Sequence, residues 1–125
     1  MNILTLIYII NAALLLLHEI ESAYVKEWEI LKLPGKITVF LLLHIPIILV
    51  LFWGAIESDK QTTTGNVIAL IAGIGGLLPF FVHKLLVKRK GYFESALSNI
   101  IIYLNVIAGI ATVVLAVLLL SGRIT

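Results

Sequence analysis

Apolar residues in this chain do not alternate with polar ones. They run on in four long blocks, at about residues 3–20, 37–56, 67–82 and 96–120, separated by short polar breaks. A helix needs about 20 mainly apolar residues to cross the hydrocarbon core of a bilayer, and each block approaches or exceeds that length. The breaks are distinct: a Leu-Pro-Gly-Lys turn at 33–36, a polar stretch at 57–65 containing three consecutive threonines, and a basic stretch at 84–91. The pattern predicts an all-α, integral membrane four-helix bundle in a single domain, 1–125. No Lys or Arg precedes the first block and no small-x-small cleavage site follows it, so it reads as a retained span rather than a signal peptide.

Residues 21–33 read as a short interfacial helix between the first two spans. Tyr24, Trp28 and Leu31 recur at spacings of four and three, which gives one apolar face, with Lys26, Glu27 and Glu29 off it. Aromatic rings at headgroup depth are the usual reason for such a segment.

Composition agrees with lipid as the solvent. Of the residues 61% are hydrophobic and 13% charged, about half the charged share of ordinary soluble domains. No cysteine is present, which excludes disulfides, thiolate metal sites and cysteine nucleophiles. A net charge of +2 gives no footprint for nucleic acid. The basic residues matter more by position. Lys26, Lys32, Lys36, Lys84, Lys88, Arg89 and Lys90 fall in the first and third loops, and only Lys60 and Arg123 on the other side. The positive-inside rule then puts loops one and three in the cytoplasm and both termini outside, in a cell's inner (plasma) membrane.

Polar side chains are costly in lipid, so those within spans face the bundle or a wet cavity. At 100° per residue, Asn11, His18 and Ser22 fall within about 40° on the first helix, with Glu21 to one side. Glu94, Ser98, Asn105 and Thr112 form an equally narrow stripe on the fourth. On the third, Gly65, Ala69, Ala72, Gly76 and Pro79 recur at spacings of four, three, four and three, and His83 follows on the same face. Small residues so spaced let helices approach closely. That stripe carries His83 into the bundle, or else, if it faces lipid, serves a homo-oligomer or a larger membrane partner through Gly65, Ala69, Ala72 and Gly76. The second helix has one polar residue well inside it, His44, just before Pro46.

Depth brings the chemistry together. His18 and Glu21 end the first helix on the loop-one side, His44 lies about two turns inside the second from that side, His83 ends the third and Glu94 opens the fourth. Three imidazoles and one or two carboxylates suit zinc, iron or manganese, so His18, Glu21, His44, His83 and Glu94 form a candidate metal site for a divalent transition metal, zinc or iron first. Asn11, Ser22, Ser98 and Asn105 are its polar support. A zincin helix is excluded, because its second histidine would have to stand at Ser22. A nucleophile elbow and a glycine-rich phosphate loop are absent too.

The segment His18-Glu19-Ile20-Glu21-Ser22-Ala23, followed by Lys26-Glu27-Trp28, resembles small bacterial membrane proteins of the HXXEE type. It is also similar to a related uncharacterised family with a His-Glu-Leu-Asp-Ala … Glu-Trp signature. Ser22 stands where the HXXEE pattern has its second Glu. The resemblance implies four spans and a site at the end of the first, and it implies no activity.

Three functions remain in view. The first is a membrane protein binding a divalent metal or a lipid-phase ligand, with enzymatic action on such a ligand as one form of it. The second is a small carrier using a His-Glu proton network. The third is a metal-free assembly subunit.

Overall fold

The computed structural model describes residues 1–86 and 95–125. Among them there is no strand, and four helical stretches are long and apolar enough to cross a membrane. The chain forms α1 (Ile3–Tyr24), the one-turn α2 (Glu27–Ile30), α3 (Lys36–Asp59), α4 (Thr63–Gly75), α5 (Leu78–Phe80), a π-helical turn (Phe81–Leu86) and α6 (Ala96–Leu120). It is an all-α, multi-pass membrane bundle in which the third span is built from α4, α5 and the π turn.

Helix starts follow from local capping chemistry. The Asn2 side chain accepts from the Thr5 N–H at 2.9 Å, the Thr62 hydroxyl from Gly65 at 3.0 Å, and the Ser95 hydroxyl from Ser98 at 3.0 Å. Each occupies one of the backbone donors that a helix N-terminus leaves without an internal partner. The third span breaks at Gly76–Leu77 because Pro79 has no N–H to return to the preceding turn. A widened π turn then carries the chain to Leu86.

α1, α4 and α6 pack together, and α3 lies against α1 and α4. The small-residue stripe faces inward: Gly65, Ala69, Ala72, Gly76 and Pro79 are all buried within the chain's own bundle. At Gly76 a Cβ would lie 2.2 Å from Asn11 Oδ1 and 3.1 Å from the Asn105 carbonyl, so only glycine allows α4 this near to α1 and α6. At mid-depth the Asn105 amide donates to Asn11 Oδ1 at 2.8 Å, and the Asn11 amide donates to the Ala72 carbonyl at 2.8 Å. Three helices are thereby tied by two side chains with no exposure at all. Thr112, on the same α6 stripe, turns back onto its own helix and donates to Ala108 O at 2.7 Å.

The interfacial element is shorter than the spacing predicts. α1 continues to Tyr24, and Lys26 takes a left-handed conformation (φ 54°) before Glu27 starts α2. That reversal separates the aromatic residues expected on one face. Tyr24 is exposed, whereas Trp28 is buried with its ring 5.4 Å from that of Phe40.

Candidate functional site

Two histidines distant in sequence meet at the end of the bundle where α1 finishes. His18 projects from the inward stripe of α1 that also buries Asn11 and Ser22. His83 comes from the π turn, and both imidazoles are at least nine-tenths buried. Their Nε2 atoms stand 3.1 Å apart, and the rings are tilted at 57° with centroids 4.7 Å apart. The third member is Glu27. The turn at Lys26 folds α2 back across the end of α1, so Glu27 Oε1 lies 3.3 Å from His83 Nε2. Ser22, one turn beyond His18, sets its hydroxyl 3.3 Å from His18 Nε2.

The donor atoms of His18, Glu27 and His83 all lie within 4.8 Å of one another. Tetrahedral zinc with bonds of about 2.0–2.1 Å sets its donors about 3.3–3.4 Å apart, close to the two spacings seen at His83. Both imidazoles offer the same nitrogen to the centre. Two imidazoles and a carboxylate are a donor set that zinc and iron accept, and three protein ligands leave one position of a tetrahedron open. Glu27 lies outside the spans. Burial pushes its carboxyl up, but hydrogen bonds donated by His83 and Ser22, with the attraction of the imidazoles, hold it below the ordinary carboxylate range. It therefore stands as a carboxylate at neutral pH, which is the form that binds metal.

His44 belongs to a second pair. Its Nε2 lies 2.7 Å from Glu19 Oε2, and its Nδ1 lies 2.6 Å from the Phe40 carbonyl one turn back. The Phe40 ring stacks on its face, with centroids 4.0 Å apart. Because α3 packs beside α1, its His44 meets the neighbouring face of α1, which presents Glu19 rather than His18. Glu21 points to the opposite side, where it accepts the Ser98 hydroxyl at the start of α6. Glu94 lies outside the described residues, as do Lys88, Arg89 and Lys90 of the third loop. Of the five residues the sequence assembles into one site, His18 and His83 come together, while His44 and Glu21 are each held by another partner.

Glu27 and Glu19 carry the roles that sequence reasoning missed. Periodicity put Glu27 on the polar side of an interfacial helix, and a left-handed residue is invisible to periodicity. Its neighbour is the available signal, since a Trp28 that anchors in the bundle carries the adjacent carboxylate in with it. Glu19 was masked by the single-face rule, which assigns an inner role only to residues sharing the His18 stripe.

The family model for a family of unknown function, DUF6713, matches residues 4–119. The chain belongs to that family. No curated protein and no solved structure matches it.

Proposed function

We propose that this member of the DUF6713 family binds a divalent transition metal, zinc or iron first, through His18, Glu27 and His83. The observation that carries the reading is the spacing at His83 Nε2, 3.1 Å to His18 Nε2 and 3.3 Å to Glu27 Oε1, which approaches the edge of a metal tetrahedron while the three side chains come from three separate elements. Two buried imidazoles and a carboxylate converge in one place. A cation engages all three and offsets the carboxylate charge. The remaining position suits a water or the polar head of a lipid-phase ligand. The seven-to-two distribution of basic side chains supports an orientation with this end of the bundle in the cytoplasm.

A second reading has an observation of its own. The His83 Nε2 lies within hydrogen-bond reach of both Glu27 and His18, so the same residues form a continuous network without a metal. Such a network would tie helices together or pass protons in a small carrier.

Thermal unfolding of the chelator-treated protein with and without added zinc separates the two. A ligand at 100 times its Kd stabilises the folded state by about 2.7 kcal/mol. Zinc should raise the melting temperature of the wild type and leave His83→Ala unmoved. A wild type indifferent to zinc, iron and manganese rejects the metal and leaves the network.

A further inference from the structure

A cavity of about 620 Å³ opens between α3 on one side and α1, α4 and α5 on the other. Its walls are apolar, formed by residues such as Leu15, Trp28, Leu43, Ile47 and Ile71, and its polar end is formed by Glu19, His44 and Lys36, beside His18 and Glu27. An aliphatic surface facing lipid needs no such end, so the pairing of a long apolar chamber with hydrogen-bonding groups calls for an amphiphile.

We propose that this cavity binds a single-chain lipid with an uncharged terminal hydroxyl, a long-chain fatty alcohol, with its head at Glu19 and His44 and its tail between α3 and α4. Size sets the tail. At about 30 Å³ for each water-sized unit, the chamber holds about 20 non-hydrogen atoms, as in a chain of about 16 to 18 carbons.

Proton counting sets the head. The Phe40 carbonyl only accepts, so His44 Nδ1 carries a proton, and the 2.7 Å contact to Glu19 requires one more between Nε2 and Oε2. Whether that proton sits on the imidazole or on the carboxyl, the pair has no net charge. It therefore does not attract an anion. Of the other charged lining residues, Glu27 and Lys36 offset each other, so this end of the cavity gives a fatty carboxylate no net positive charge to pair with. A hydroxyl both donates and accepts. It can donate to a Glu19 oxygen at the polar end of the cavity. The inference stands on the cavity and the Glu19–His44 pair, and it holds with or without a metal at His18.

The test uses the full chain in detergent micelles, treated with chelator so that the outcome is independent of the metal. The probe is hexadecanol with a mid-chain diazirine, and the competitors are hexadecanol, palmitate and hexadecane. Illumination should label peptides of α3 and α4 saturably. Unlabelled hexadecanol should compete at about ten-fold lower concentration than palmitate or hexadecane, the equivalent of one to two hydrogen bonds. Ile47→Trp, which fills the chamber, should abolish labelling, and Glu19→Leu, which removes the acceptor for the hydroxyl, should bring hexadecanol down to the potency of hexadecane. Labelling that does not saturate, or equal competition by all three compounds on the wild type, overturns the proposal. The wild-type competition decides the matter even if a variant does not fold.

Discussion

His18 and His83 are 65 positions apart in the chain, yet their Nε2 atoms approach to 3.1 Å inside the bundle. The third span comes close to α1 at Gly76, the C-cap of α4. Gly76→Ala would drive a Cβ to 2.2 Å from Asn11 Oδ1. The expected loss of stability is about 1–3 kcal/mol, the usual cost of overpacking. Thermal unfolding in micelles checks it, together with zinc binding, which should weaken as His83 moves off His18.

The mid-bundle amides make a separate prediction. Asn105 donates to Asn11, which donates to Ala72 O. Asn105→Ala should cost about 0.6–2 kcal/mol, the range for interhelical hydrogen bonds in membranes. A double-mutant cycle with Asn11→Ala should show coupling between the two, and additive losses would mean that the amides act independently.

Tyr8 and Gly54 form a matched pair on the other side of the bundle. The Tyr8 hydroxyl donates to Leu51 O at 2.7 Å, and a Cβ on Gly54 would lie 2.4 Å from that hydroxyl. Gly54→Ala should therefore be clearly destabilising in the wild type and milder in a Tyr8→Phe background, which removes one of two equally close contacts. Equal losses in both backgrounds would place the clash elsewhere, at Ile68 Cγ2, also 2.4 Å away.

Much of this arrangement is legible in the chain. Four apolar blocks announce the spans, and the four-three-four-three recurrence from Gly65 to Pro79 puts His83 on the inner face, where it is buried. Glu27 is not legible, because its position depends on one left-handed backbone angle at Lys26. His44 shows the limit of depth arguments. Depth brings residues to one level, but which neighbour they meet depends on how helices are arranged around the axis, and α3 turns His44 to Glu19.

Acid should reveal Glu27. Its folded-state carboxyl lies below the ordinary Glu value of 4.5, so its contribution to stability is present above that value and is lost as pH falls through the lowered one. Glu27→Gln should flatten this part of the pH dependence of unfolding for the metal-free protein. An unchanged acid limb would mean that the His83 contact contributes nothing.

Orientation is testable by single cysteines at Glu29 and Thr63, both exposed and at opposite ends of the bundle. A membrane-impermeant thiol reagent added outside intact cells should reach Thr63→Cys and not Glu29→Cys. The reverse pattern would put the histidine end outside.

The central claim is a metal held by His18, Glu27 and His83, and elemental analysis of gently extracted protein tests it most directly. The account predicts about one zinc or iron per chain, reduced by at least the 10- to 100-fold typical of supporting-residue losses in Glu27→Gln and His83→Ala. Wild-type protein that carries no transition metal, and takes none up on incubation with zinc, iron or manganese, would contradict it.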